Sequence, residues 1–226
     1  MHSASAEEDS LKLVEDFDHE LIHAMDSLPK LFGLVDQYRF WSSKHLQREI
    51  NAFAFLRRSG RVDGSKLLVR PALEMAFRLE AVRRHPDSLY RIEFSEHCQD
   101  EQLLREHAKR SKQPYNDAQI EQKWKRFSDA FTGEFPNIPK VEKRLTIERI
   151  AAKAEMHRVY GDHYRIYCKY THGALLASTG ALDKATDPRD NWAMGACGLI
   201  ALDNLILLGA KSPNRDRLEQ RLPRYD

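Results

Sequence analysis

Apolar residues recur at helical spacing along almost the whole of this 226-residue chain. No segment alternates apolar and polar residues as a half-buried strand does, and no internal repeat is visible. In the stretch "KLLVRPALEMAFRLEAV", apolar positions surround a narrow polar strip, which is typical of a helix inside a bundle. The sequence therefore predicts an all-α helical bundle.

Prolines, glycines and capping residues divide the chain into helices. The predicted helices cover about 7–28, 30–58, 64–84, 87–111, 116–131, 146–178 and 191–209. Pro71 predicts a kink or a new start inside the third helix. Asp87 and Asp190 are candidate N-caps, and the glycines of "SGRVDG" fit the end of the second helix and a turn.

The distribution of apolar residues predicts one domain over residues 1–226. Its core helices lie at about 30–84 and 146–209, and we expect them to pack as four helices: 30–58, 64–84, 146–178 and 191–209. The charged stretch at about 87–140 then forms a helical insertion packed across this core. A charged tail at 211–226 is expected to be peripheral.

Composition excludes several classes of protein. The formal net charge is +2, which is too balanced to indicate nucleic-acid binding by itself. The three cysteines are far apart and form no CxxC motif, which favours reduced thiols in the cytoplasm over a disulfide framework or a zinc ribbon. The sequence has neither a secretion signal nor an apolar run long enough for a membrane span, so we expect a cytoplasmic protein with no membrane partner.

The motif "HELIH" at residues 19–23 matches the HExxH pattern of zinc metalloproteases. At 100° per residue, however, His19 and His23 lie opposite the apolar face that carries Phe17 and Leu21. The pattern therefore favours a solvated polar face, with a zinc peptidase as the alternative. A second ExxH motif, which a di-iron bundle requires, is absent, and we predict neither a metal nor a cofactor.

Five arginine–histidine pairs offer a different chemistry, and helical geometry separates them. The pairs are Arg39–His45, Arg78–His85, Arg91–His97, Arg158–His163 and Arg165–His172. Spacings of five or six residues separate the side chains by roughly 120–140° around a continuous helix, whereas a spacing of seven brings them within about 20°. His85 directly precedes a proline, where the helix should be ending. Arg165 and His172 are therefore the candidate catalytic pair.

A polar stripe surrounds this pair on the predicted helix. It contains Arg158, Asp162, Arg165, Lys169 and His172, and Tyr164 lies near its edge. An imidazole can transfer a proton near neutral pH, and a guanidinium can stabilise the charge of a pentacovalent phosphoryl group. Cleavage of RNA by its own 2′-hydroxyl uses proton transfer and stabilisation of the phosphoryl charge, and it needs no metal ion. The alternative is an exposed amphipathic face without chemistry.

The third helix carries a complementary strip. Arg70, Glu74 and Arg78 recur at every fourth position of an otherwise apolar helix. If this strip faces Arg165 and His172, Glu74 can orient a catalytic side chain and the two arginines can bind phosphate. The alternative is an intrahelical ion-pair ladder.

Two segments together, "LLVRPALEMAFRLEAV" and "YRIYCKYTHGALLAS", resemble a poorly characterised bacterial family of unknown function grouped near the HEPN (higher eukaryotes and prokaryotes nucleotide-binding) superfamily. The resemblance covers roughly residues 30–84 and 150–209. It implies a HEPN-like bundle and a metal-independent endoribonuclease of a toxin or anti-phage system, with Arg165 and His172 as the catalytic pair. It further implies a homodimer whose motifs meet in one cleft, an RNA substrate, and an antitoxin or regulatory partner. The alternative is a non-catalytic dimeric module that senses or scaffolds by binding a nucleotide, RNA or a protein.

Overall fold

The computed structural model describes residues 2–31, 33–112, 117–134, 145–171 and 188–223. Within them the regular structure is entirely helical, so the predicted all-α bundle is confirmed. The helices are α1 (His2–Asp26), α2 (Gly33–Arg58), α3 (Val62–Arg84), α4 (Ser88–Ser111), α5 (Asp117–Glu134), α6 (Ile147–Lys153), α7 (His157–Val159), a π-helical turn (Tyr160–Tyr164), α8 (Arg165–Thr171), α9 (Pro188–Leu207) and α10 (Arg215–Arg221).

The central bundle consists of α1, α2, α3 and α9. The sequence prediction placed residues 146–178 among the four core helices and left α1 out of them, whereas α1 packs against α2 and α9 in the bundle. Phe17 and Leu21 of α1 are completely buried. Close packing is possible because α9 has glycines where the two helices meet, and a Cβ at Gly198 would lie 2.9 Å from the Cβ of Phe17.

The predicted long helix at 146–178 is interrupted. Helix α6 ends at Lys153, and Glu155 adopts a left-handed conformation with φ of 56°. The N–H of Met156 then donates to the carbonyl of Ala151, which is the hydrogen bond of a Schellman C-cap. The carboxylate of Glu155 pairs with Arg84 of α3. Because this cap uses glutamate instead of glycine, the sequence carried no signal for the break. Residues 172–178 lie outside the described part of the chain.

The other helix bounds agree with the sequence prediction to within a few residues, with three local differences. Pro71 lies inside α3, which continues on both sides of it, so a new start at this proline is ruled out. Asp87 occupies the N-cap position of α4 but makes no capping hydrogen bond with its side chain. Helix α9 begins at Pro188, so Asp190 lies in the first turn and does not cap the helix. The predicted C-terminal glycine of α2 is confirmed at Gly60, which has φ of 70°.

The insertion forms two helices, α4 and α5, joined by aromatic rings. The ring of Tyr90 stacks on Phe127 with centroids 5.4 Å apart, and the Nε1 of Trp124 donates to Glu101. Helix α4 packs on α3. The tail is less peripheral than predicted, because α10 packs on α1 through the buried Leu218. None of the helices in the described residues is long and apolar enough to cross a membrane.

The close contact between α1 and α9 generates a test of the bundle. We expect Gly198→Ala to lower the free energy of unfolding by about 1–3 kcal/mol, because the new methyl group meets Phe17 and forces the helices apart. Gly161→Ala is the control, because a Cβ at Gly161 meets nothing within 4 Å. Urea denaturation followed by circular dichroism measures both. Equal destabilisation by the two substitutions would contradict the packing of α1 on α9.

Candidate functional site

The segment from α7 through the π-helical turn to α8 has one exposed and one buried face. Arg158, Asp162 and Arg165 are exposed, whereas Tyr164 and Tyr167 are each only 3% exposed. The exposed face carries these three members of the predicted stripe, whereas Tyr164, which the sequence placed near the edge of the stripe, is buried. The side chain of Lys169 and the whole of His172 lie outside the described part, so the structure does not test their place in the stripe.

Tyr164 anchors this segment to the polar strip of α3. Its hydroxyl donates a hydrogen bond of 2.7 Å to the Oε1 of Glu74. The same oxygen accepts a 2.9 Å hydrogen bond from the Nε of Arg70, whose guanidinium carbon lies 5.8 Å from the centre of the Tyr164 ring. The structure therefore brings Arg70, Glu74 and Tyr164 together. The side chain that Glu74 orients among the described residues is therefore Tyr164.

Burial and the Glu74 carboxylate keep the Tyr164 phenol protonated. Burial raises the pKa of Tyr164 first, and the hydrogen bond to Glu74 raises it further. The neighbouring Tyr160 stacks on Tyr164 with ring centroids 5.1 Å apart. Burial also raises the pKa of Tyr160, and the charge of Arg165 opposes that shift. Ring stacking and hydrogen bonds thus link Tyr160 through Tyr164 to Glu74 and Arg70.

Arg78, the third member of the strip, contacts a different element. Its Nη1 pairs with Glu96 of α4. Arg70 and Arg78 are eight positions apart, which is about 12 Å along a helix. The strip is therefore long enough for its two ends to meet different neighbours. Within the described residues, Arg70 and Glu74 contact the segment that carries Arg165, and Arg78 contacts α4.

A buried ion pair fixes the other end of this segment. Arg57 of α2 pairs with Asp190 of α9, and their side chains are 3% and 2% exposed. The hydroxyl of Tyr167 donates a 2.5 Å hydrogen bond to the second oxygen of Asp190. The Nε and Nη1 of Arg57 are buried and have no acceptor among the described residues, while its guanidinium carbon lies 5.1 Å from the ring centre of Phe53. This network joins α2, α8 and α9.

The sequence analysis missed Arg57 and assigned Asp190 a different role. One signal was present: Arg57 stands four residues after Phe53, on the apolar face of α2, where an arginine needs a buried partner. The identity of that partner was not visible, because Asp190 is 133 residues away in the chain.

The two histidines of the HExxH motif lie on the polar face of α1, as their helical spacing predicts. His19 and His23 are exposed, and Glu20 is buried. Glu20 accepts hydrogen bonds from the hydroxyl of Ser212 at 2.8 Å and the side-chain amide of Asn214 at 2.9 Å. It therefore ties α1 to the segment before α10. The described residues contain no cluster of three or more histidine, cysteine or acidic side chains placed to hold a metal ion.

Arg165 is a cation of this segment that is placed to meet a ligand. It is exposed, and no carboxylate of the described residues forms an ion pair with it. The backbone N–H of Arg165 closes the π-helical turn by donating to the carbonyl of Tyr160. Single π-helical turns occur frequently at functional sites in helical proteins. An exposed arginine on a helix that two buried tyrosines hold in place can contact an anionic group without rearrangement of the fold.

The fold and this arrangement define an all-α bundle that presents cationic side chains from an irregular helical segment. A family model described as a family of unknown function (DUF5677) matches residues 46–189, which is more than half of the chain. The chain belongs to this family. The matched region includes Arg57, the strip of α3 and the segment that carries Arg165. No curated protein and no solved structure matches the chain.

The buried ion pair gives a prediction about stability. We expect Arg57→Met to lower the free energy of unfolding by about 3–5 kcal/mol, because it leaves the Asp190 carboxylate buried without its cation. Arg57→Met combined with Asp190→Leu should recover part of this loss, since no buried charge then remains.

The adjacent arginine is the matched control. Arg58 is exposed on the same helix and pairs with Glu8 and Glu15 at the surface, so Arg58→Met should have a much smaller effect. Urea denaturation of the four proteins measures the differences. An Arg58→Met effect as large as that of Arg57→Met would show that the buried pair has no special role.

Proposed function

We propose that this protein is a HEPN-like, metal-independent endoribonuclease that uses Arg165 and His172, and that it acts in the cytoplasm within a toxin or anti-phage system. The observation that carries the proposal is the placement of Arg165. It is exposed and unpaired among the described residues, on a helix that Tyr164 and Tyr167 anchor to the bundle. The helix orientation is therefore set by the core and leaves the guanidinium available to an RNA phosphate.

The proposed chemistry divides between the two side chains. The imidazole of His172 takes the proton of the 2′-hydroxyl while its oxygen bonds to phosphorus, and the guanidinium of Arg165 stabilises the additional negative charge on the phosphoryl oxygens. The bond between phosphorus and the 5′-oxygen then breaks, the departing 5′-oxygen takes a proton from water, and a 2′,3′-cyclic phosphate remains. The spacing of seven residues predicts that both side chains share one helix face. Arg158 is exposed on the preceding turns and provides a further contact to the RNA backbone. The same face can meet its counterpart in a homodimer, as the HEPN resemblance implies.

RNA cleavage by variants tests this proposal. We expect the wild-type protein to slow cell growth and fragment cellular RNA, and to cleave RNA in vitro in the presence of EDTA. Arg165→Ala and His172→Ala should each reduce cleavage by roughly 10²- to 10⁴-fold, because each removes one group that acts in the transition state. Matched controls are Arg126→Ala and His107→Ala, which replace exposed residues of α5 and α4. Equal toxicity and equal RNA damage from wild type and His172→Ala would refute the catalytic assignment.

A second candidate function is a non-catalytic dimeric module that binds a nucleotide, RNA or a protein partner. The observation that favours it is the exposure of two large aromatic side chains on α2, Trp41 at 60% and Phe55 at 67%. Aromatic residues are enriched where proteins associate. An antitoxin or regulatory partner is a candidate occupant of the same surface.

Oligomeric state tests the second candidate. If α2 forms the dimer interface, the wild-type protein should elute as a dimer in size-exclusion chromatography with light scattering. The double variant Trp41→Ser, Phe55→Ser should then elute as a monomer, because both substitutions remove aromatic surface from the interface. Leu103→Ser is a control, since it removes a side chain that is 64% exposed on α4. A wild-type monomer, or dissociation by the control alone, would contradict this interface.

A further inference from the structure

A groove of about 650 Å³ lies between α1 and α10, and the proposed ribonuclease chemistry does not use it. One wall is formed by α1, which presents Lys12, His19 and His23. The other wall is formed by α10, which presents Arg217 and Arg221 one helical turn apart. The motif that resembled a zinc-protease signature therefore faces two arginines across an open groove.

The walls of the groove are held in place by buried contacts. Glu20 lies at its base, where it accepts hydrogen bonds from the Ser212 hydroxyl and from both the backbone N–H and the side-chain amide of Asn214. Burial alone would raise the pKa of Glu20, but the hydrogen bonds from Asn214 and Ser212 outweigh burial and lower the pKa. Leu218 is 3% exposed and docks α10 onto α1. The cationic side chains consequently project from two elements whose relative position is set.

The charges that line the groove favour an anion. Lys12, Arg217 and Arg221 are cationic side chains. Asp16 is shared, because it lies 2.5 Å from Arg221 and 3.8 Å from Lys12. Glu20 is buried and fully engaged by neutral donors. Across the described ranges no carboxylate pairs with Arg217.

We propose that this groove binds a phosphorylated small molecule through its phosphate groups. Arginine binds phosphate oxygens with two parallel hydrogen bonds, and imidazole N–H groups add further donors. Donors and cations from two helices converge here, and such an arrangement suits an anion with several oxygens better than a single carboxylate. A volume of about 650 Å³ lies within the range of small-molecule sites.

The groove is separate from the site of the proposed ribonuclease activity. Its lining residues belong to α1 and the C-terminal segment, whereas Arg165 belongs to α8 and the strip that contacts Tyr164 belongs to α3. Phosphate binding in the groove therefore does not depend on whether the protein cleaves RNA.

Isothermal titration calorimetry on the full-length protein tests the proposal, with inorganic pyrophosphate, ATP and adenosine as probes at constant ionic strength. We expect pyrophosphate and ATP to bind and adenosine to produce no heat of binding. Arg217→Glu should weaken pyrophosphate and ATP binding by roughly ten- to a hundredfold, because it removes charge-assisted hydrogen bonds and adds repulsion. Since Arg217 is exposed, we expect this variant to keep the wild-type melting temperature.

Two matched variants separate this site from other cationic surfaces. Arg126→Glu makes the same charge reversal on the exposed side of α5 and should bind both phosphate ligands like the wild type. Arg165→Ala should also bind normally, which distinguishes this site from the ribonuclease site. The proposal is overturned if neither phosphate ligand binds at millimolar concentration, if adenosine binds as tightly as ATP, or if Arg126→Glu or Arg165→Ala weakens binding as much as Arg217→Glu does.

Discussion

The buried ion pair between Arg57 and Asp190 is the interaction on which the arrangement of the candidate site depends. Two charges with almost no solvent exposure must compensate each other, because an unpaired buried charge is costly. The pair connects α2 to the first turn of α9, and the Tyr167 hydroxyl adds α8 to the same carboxylate. The positions of α2, α8 and α9 relative to one another are thus fixed by one carboxylate.

This geometry determines which side of α8 faces solvent. The hydroxyls of Tyr164 and Tyr167 donate hydrogen bonds to carboxylates on two different core helices, Glu74 of α3 and Asp190 of α9. With both tyrosines buried, Arg165 is directed outward. The exposure of Arg165 therefore follows from two hydrogen bonds made by buried tyrosines, so substitutions of their partners in the core can alter the site.

Local irregularities also shape this region. A left-handed residue at Glu155 ends α6, and a π-helical turn at Tyr160–Tyr164 precedes α8. A π-helical turn takes more residues than an α-helical turn, so a calculation at 100° per residue does not hold from Arg158 to Arg165. Arg158 and Arg165 are nevertheless both exposed, while Tyr164 and Tyr167 supply the buried contacts of this region.

Much of the fold was predictable because it depends on local chemistry. Apolar periodicity located the helices, and Gly60 marked the end of α2 through a left-handed conformation that glycine adopts readily. The two-faced character of residues 158–167 was predictable for the same reason. The break at Glu155 was not, because a cap built on a glutamate and its ion pair with Arg84 has no glycine signal. The choice of α1 as the fourth core helix depended on two glycines of α9 that meet Phe17, a contact between distant segments.

The sequence by itself determined the all-α class, most of the helix bounds and the identity of the candidate residues, since each follows from spacing and residue chemistry within one segment. Only the tertiary structure decided which of these residues meet. It brought Arg70 and Glu74 to Tyr164, directed Arg78 to α4, and made Asp190 the partner of Arg57 instead of a helix cap. It also placed the histidines of "HELIH" opposite Arg217 and Arg221. The physical reason is that burial and charge compensation act between segments, and periodicity along one helix carries no information about its partners.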